Sequence, residues 1–401
     1  MIELRAIGLG LALVLAAGCP PPPPGDDDEA TDDDDATDDD DDATDDDDDV
    51  APACPNAPFV GYQILATVAD AIDFAAQFDA IEGTLIVKSD ELLDLGFLTC
   101  LTSVEGSLAI GSSTSMQSAS LPALEWVDGG LSFGGLGLVE TISLPALTSV
   151  ETNVSSPWSG LHLGALPMLE TVDAPVLSHL EELMVQQNDA LTELQFPAVE
   201  TSSLLRVRNM PTLVSISFPV LTQAVSLLLE VNPLLSVVDL SSLEVVSTSV
   251  EFRELPALAE IELPALSAGG VLAWDVPELT SVSAPQLVDG TLVGVVNAPA
   301  LTTLAAPSLQ TLASSVSSLL VRETGLSSIT LASLETAGGH LRLTDNPALT
   351  EASFPVLESV GGDFTVTDNG LLPTAEIEAL RDQLLSSGGI GGSADISGNG
   401  P

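Results

Sequence analysis

Apolar residues along this chain fall in short pairs split by one polar residue, and the pairs return about every two dozen positions. One leucine or valine marks each return. Leu101, Leu124, Leu147, Leu177, Val199, Leu221, Leu243, Leu266, Leu287, Leu309, Leu334 and Leu357 are spaced by 23, 23, 30, 22, 22, 22, 23, 21, 22, 25 and 23 residues. A period of roughly 20 to 30 residues is the mark of a solenoid, in which no single turn can bury its own apolar face and stacked neighbours build a continuous core.

A representative unit runs from Phe354-Pro355-Val356-Leu357 through Phe364-Thr365-Val366 to Asp368-Asn369. It offers one apolar pair after a proline and one in strict alternation. A third follows an Asn-Pro or Leu-Pro corner, and together they predict three short strands per turn. Proline stands two residues before the marker in nine of the twelve copies, which excludes a helix there and fits a corner. Alternation of period two, with no ten-residue helical pattern inside the repeats, predicts parallel strands stacked turn on turn. The expected fold is all-β, a parallel β-solenoid of about 13 turns, roughly 60 Å long at about 4.8 Å per strand. Helices are expected only as caps. One spans Ala66 to Phe78 with Val68, Ile72 and Phe78 on its apolar side; the other spans Thr374 to Ser386 behind Pro373 with Ile377, Leu380 and Leu384.

Phasing the alternating strand changes the picture from architecture to surface. With Leu85 and Val87, Leu161 and Leu163, Leu183 and Val185, Leu205 and Val207, Val250 and Phe252, and Leu341 and Leu343 turned inward, the residues between and just after them face out. Lys88, Arg206, Arg208, Arg253, Arg322 and Arg342 all fall on that outer face, and only Arg381 of the folded region's basic residues does not. Glu182, Glu230, Glu251 and Asp275 are expected in the same columns. Cross-strand pairing there is worth roughly 0.2 to 1 kcal/mol per pair. A mixed-charge ladder is therefore one account of the face, and a recognition surface flanked by His162 and Met184 is the other. The single 30-residue interval holds an insertion around Asn153 to Gly160, with Trp158 placed to edge that face or to fold back over a corner.

Charge is distributed very unevenly. Residues 26 to 49 carry 17 Asp and one Glu among Ala-Thr spacers, directly after five prolines, Pro20 to Pro24. Such a run buries nothing, repels itself and stays extended. Setting it and residues 1–18 aside leaves 40 acids against seven basic residues, a balance of about −33 that disfavours nucleic acid as a partner. The start of the chain has one basic residue, Arg5, an apolar run of about 11 residues from Ile7 to Ala17, and Leu15-Ala16-Ala17-Gly18-Cys19. The run is too short to cross a ~30 Å hydrocarbon core, and the segment resembles a bacterial lipoprotein signal. That resemblance implies cleavage after residue 18, lipidation of Cys19 and attachment to a membrane through the lipid. Residues 19–53 then form a tether reaching at most ~110 Å, and residues 54–401 a single repeat domain.

The segments Asp73-Phe74 to Phe78, Ile81-Glu82-Gly83-Thr84-Leu85-Ile86-Val87 and Val104-Glu105-Gly106-Ser107-Leu108-Ala109-Ile110 resemble the receptor L-domain, a leucine-rich, right-handed β-helix. It occurs in ligand-binding ectodomains of insulin- and EGF-type receptors, with related repeats in fungal cell-wall glycoproteins and bacterial surface lipoproteins. The resemblance covers about residues 55 to 400 and bears on fold more than function. The family often has a cysteine where Phe78 stands, paired with one upstream like Cys54. Here the chain departs from that pattern, since the remaining cysteine, Cys100, lies about one turn further on; with export to an oxidising compartment implied by the signal-like start, a Cys54–Cys100 bridge is the expectation.

Enzymatic chemistry finds no foothold. His162, His179 and His340 lie at unrelated points of the repeat, and neither HExxH, paired cysteine ligands nor GxSxG occurs. The Gly-rich run from Gly388 to Asp395 and the Asp-Asn pairs at 345–346 and 368–369 read as turns rather than calcium sites. No cofactor is expected. The sequence points to a lipid-anchored protein of the cell envelope, placed at the outer membrane by Pro20 following Cys19, that binds a glycan or protein. A purely structural envelope component is the alternative, and a carbohydrate-active β-helix enzyme the remote one.

Overall fold

The same bend recurs twice in most turns of the chain. In Leu121-Pro122-Ala123-Leu124 the Leu124 N–H donates to the Leu121 carbonyl at 3.3 Å, and Pro122 occupies the turn position that its fixed φ suits. Leu266, Leu287, Leu309 and Leu357 close turns in the same way over Pro264, Pro285, Pro307 and Pro355. The second bend is identical in kind: Leu235, Leu258, Leu279, Leu301 and Leu349 donate back across Pro233, Pro256, Pro277, Pro299 and Pro347. The prolines expected at corners are the hinges of the coil.

Between bends the chain forms a parallel β-solenoid of about 13 turns. The computed structural model describes residues 54–151, 159–387 and 389–401. Each turn between the caps contributes a first strand, a middle strand and a third strand, as in Ser149–Glu151, Gly160–Gly164 and Thr171–Asp173; in the terminal turns a helix or 3₁₀ turn stands in place of the third strand. In the central turns the first two fuse, as in Thr201–Arg208, Gln223–Glu230 and Val245–Arg253. First and middle strands join in one 25-stranded parallel sheet, whereas the third strands fall into separate blocks of three, three, three and two. Val172 and Val238, each in the last strand of its block, are only partly covered, while Ile142 and Ile216 in the middle strands of the same blocks are buried.

The core is a set of columns. Every marker residue from Leu101 to Leu357 is buried, as are the inward pairs of the middle strands. Each fully buried Leu or Val contributes roughly 1.5 to 3 kcal/mol, but only because the next turn covers it. Phe196 and Phe218 stack in neighbouring turns at 5.6 Å between centroids. The C-terminal cap is the expected helix, Thr374–Ser386, burying Ile377, Leu380 and Leu384. The N-terminal cap differs from expectation. The helix is shorter, Val68–Ala75, and buries Ala71 and Phe74, leaving Val68 and Ile72 41% and 60% exposed. Phe74 packs against Phe59 and Phe78 at 5.6 and 5.2 Å between centroids, and that aromatic cluster sets the rotation of the helix. Cys54 and Cys100 are joined by a disulfide.

From the strand Ser107–Ser113 to the strand Phe364–Thr367, the backbone turns through the left-handed region at the end of each middle strand. Ser112, Gly135, Ala165, Gln187, Asn209, Val231, Glu254, Asp275, Asn297, Glu323, Asp345 and Asp368 all have φ between 53° and 66°. The residue that follows points into the core, and where it is Asn it serves the previous turn: Asn188 Oδ1 accepts from the Leu166 N–H at 3.0 Å while its Nδ2 donates to the Leu163 carbonyl at 3.2 Å. Asn232 does the same for Met210 and Val207. Val231 is the exception in this column because a β-branched residue suffers most at positive φ. Val231→Asn is expected to stabilise the protein by about 1 kcal/mol, read as a raised urea midpoint. A midpoint that stays or falls would show that the corner has relaxed around the valine.

Candidate ligand-binding face

The outer face of the middle strands is ordered as two columns in register. Ser132, His162, Met184 and Arg206 succeed one another in the first, and Gly134, Gly164, Gln186 and Arg208 in the second. Further along, the second column continues through Glu230, Arg253, Trp274, Val296 and Arg322, and the first reaches Arg342. Arg206, Arg208, Arg253, Arg322 and Arg342 share one face, as expected, and Lys88 extends it one residue beyond the strand Thr84–Val87. Asp275 does not belong there. It occupies the left-handed corner after Trp274, because Trp274 pairs with Arg253 and takes the column position itself.

Hydrogen bonding divides the arginines into two groups. Arg253 pairs with Glu251, and Arg322 with Glu323 and, at 3.8 Å, with Asp345. Arg342 lies near Asp363, whose carboxyl is held below the ordinary range chiefly by the Ser393 backbone N–H, then by the Ser393 hydroxyl, with His340 and Arg342 adding lesser attraction. Arg253 and Arg322 fit the mixed-charge ladder, whereas Arg342 makes no ion pair or hydrogen bond among the described residues and shares only this attraction with Asp363. Arg206 has no ion-pair or hydrogen-bond partner among the described residues, and Arg208 has no carboxylate, only Gln186, to whose Oε1 its Nε donates at 2.9 Å.

Next to that second group the face is hollow. Ser132, His162, Met184 and Gln186 ring a notch of about 190 Å³ whose floor includes Gly134 and Gly164. His162 Nε2 is buried there with no hydrogen-bond partner. The two glycines are not demanded by the backbone. A Cβ on Gly164 would come no nearer than 3.6 Å to the Gln186 side chain, and one on Gly134 no nearer than 3.4 Å to the Gly164 carbonyl, whereas a Cβ on Gly111 would lie 2.3 Å from the Gly134 carbonyl. Glycine inside a strand costs roughly 0.5 to 1 kcal/mol relative to alanine and often marks the close approach of another molecule.

A larger groove of about 690 Å³ adjoins the notch. It follows the left-handed corners and is lined by Ala165, Pro167, Gln187, Asp189, Asn209, Pro211, Val231 and Pro233. Gly164 and Gln186, which line the notch, immediately precede Ala165 and Gln187, which line the groove. Sequence reasoning missed this groove and both glycines. Phe133-Gly134-Gly135 and Leu163-Gly164 interrupt otherwise regular alternation, which was the available signal.

Trp158, the lipidation candidate Cys19, residues 1–18 and the tether 19–53 lie outside the described residues. Among the described residues, no three His, Cys, Asp or Glu side chains converge as metal ligands, and no helix is long and apolar enough to cross a membrane. No protein-family model, curated protein or solved structure matches the chain.

Proposed function

We propose that this chain is a lipid-anchored cell-envelope protein that works by binding, presenting a rigid repeat surface to a glycan or protein on an acidic, extended tether. Placement at the outer membrane through Cys19 and kinship with the receptor L-domain belong to the same reading. The observation that carries it is the sorting of charge: six of the seven basic residues from 54 onward lie on one face of a body with a balance of about −33. Random surface charge does not sort itself in that way, and a local positive field concentrates anionic partners. Arg206 and Arg208 lack the carboxylate partners that Arg253 and Arg322 possess and adjoin one another across the two columns beside the notch, so they are the cations this reading assigns to a ligand.

A purely structural role is the second reading, favoured by the Arg253–Glu251 and Arg322–Asp345 pairs, which neutralise their arginines within the surface. Salt-dependent binding separates the two. The full chain is expected to bind an extracted envelope glycan or protein fraction saturably, and the Arg206→Ala/Arg208→Ala double variant to bind it at least tenfold more weakly, while Arg381→Ala on the C-terminal helix leaves binding unchanged. Wild-type protein with no saturable binding, or a double variant equal to wild type, would leave the structural reading standing alone.

A further inference from the structure

Three features of the notch have no explanation in folding. Gly134 and Gly164 withhold side chains at two strand positions where a Cβ would fit. His162 Nε2 is buried between them and Met184 with no partner, which an exposed-face residue escapes only by meeting a ligand or water. Arg208 leans one strand toward the notch to reach Gln186, which lines it. Bare backbone, a polar atom seeking a partner and a guanidinium with donors to spare thus meet at one place.

We propose that this notch holds one residue of an acidic saccharide, a deduction that rests on the binding role assigned to the face. The sugar ring lies flat over the peptide groups at Gly134 and Gly164. Its carboxylate points toward Arg208 and Arg206, where a planar guanidinium can offer paired donors. A small rotation of the His162 ring brings Nε2 to a ring hydroxyl, and the Ser132 hydroxyl is one strand away in register. Volume supports a single ring: about 190 Å³ equals about six waters at ~30 Å³ each. A protein partner would instead need a deep apolar pocket for an aromatic or aliphatic anchor, and the half-buried Met184 is the sole large apolar side chain in the lining that is not fully buried. The strand spacing of about 4.8 Å also lets a linear polymer continue along the columns beyond the notch.

The test is calorimetric titration of the full chain with a linear oligo-glucuronate, a neutral glucose oligomer of equal length, free glucuronate, inorganic sulfate and a poly-glutamate peptide. The oligo-glucuronate is expected to bind most tightly, free glucuronate more weakly, and the neutral oligomer at least tenfold more weakly than the charged one. Gly164→Val fills the floor at an outward strand position and is expected to lower oligo-glucuronate affinity at least tenfold with an unchanged circular dichroism spectrum. Should that variant lose its fold, Gly164→Ala and His162→Ala supply the same reading with smaller changes. Affinity unaffected by Gly164→Val or His162→Ala, yet lost in Arg206→Ala/Arg208→Ala, would overturn the notch while leaving the face as a binding surface. Equal binding of the neutral oligomer would overturn the carboxylate assignment, and preference for sulfate or poly-glutamate would overturn the saccharide. Insensitivity to the arginine pair as well would remove the face itself.

Discussion

Asn346→Leu is expected to destabilise the C-terminal third of the solenoid by about 3 to 5 kcal/mol. The side chain is fully buried and works between two turns: its Oδ1 accepts from the Thr324 N–H at 3.1 Å and the Thr324 hydroxyl at 2.7 Å, and its Nδ2 donates to the Val321 carbonyl and Asn369 Oδ1, both at 3.1 Å. Leucine fits the column, which already accepts Leu255 and Met210, so the loss is one of hydrogen bonds rather than space. Each buried group left without a partner costs about 1 to 3 kcal/mol, partly offset by the apolar surface that leucine adds. The chain is a stack, and the damage should stay near the substitution. Amide exchange at Val321, Thr324 and Leu343 would accelerate while Leu205 and Val207 keep their protection. Unchanged exchange at Thr324 would mean that water enters the corner and replaces the amide.

Cys100→Ser is expected to remove about 4 kcal/mol from the N-terminal end, the chain-entropy value for a loop of 46 residues. The bridge joins Cys54, which precedes the first strand Pro58–Phe59, to a residue two repeats later, just after the 3₁₀ turn Gly96–Leu98. The first residues are also held by ladder pairing on one side only, Pro58–Phe59 against Ala80–Ile81 and Tyr62–Leu65 against Thr84–Val87. Ala57 N–H donates to Asp79 Oδ1 at 3.0 Å, and Phe59 joins the ring cluster with Phe74 and Phe78. Opening the bond should release Phe59 to Leu65 to rapid exchange and uncover Phe74, measurable as a rise in hydrophobic-dye binding, with the central strands intact. Protection of Phe59–Leu65 equal to wild type would assign the cap's stability to the three phenylalanines alone.

Much of this architecture was legible because one physical demand, burial by a neighbouring turn, repeats at each marker leucine. The inward pairs, the proline corners and the helix Thr374–Ser386 all follow from it. The shared face of the arginines followed too, since alternation fixes which way a strand residue points. What could not be read depends on contacts made across turns. The first helix rotates onto Ala71 and Phe74 because Phe59 and Phe78 await it there, information absent from the spacing of Val68 and Ile72. That the left-handed corner recurs as a column escaped notice because Gln187, Val231 and Glu254 adopt it without being glycine or asparagine; the column, not the residue, dictates φ. Asp345-Asn346 and Asp368-Asn369 were legible as corners, but not the division of labour in which aspartate takes the positive φ and asparagine is swallowed by the core. Which arginines spend their charge on neighbours was likewise invisible until Glu251, Glu323 and Asp345 had positions.

The unequal walls have a mechanical consequence. One wall is laced by ladder hydrogen bonds from Tyr62–Leu65 to Ala394–Asp395 without a gap, while the third wall is cut into four blocks. Parting the seams between blocks lengthens that wall without breaking a ladder bond, and the laced wall cannot stretch to match. Whatever bending the stack admits is therefore expected to go one way, with Arg206, Arg208 and their neighbours on the inside of the arc. A long polymer laid along them would find the surface closing around it like a palm.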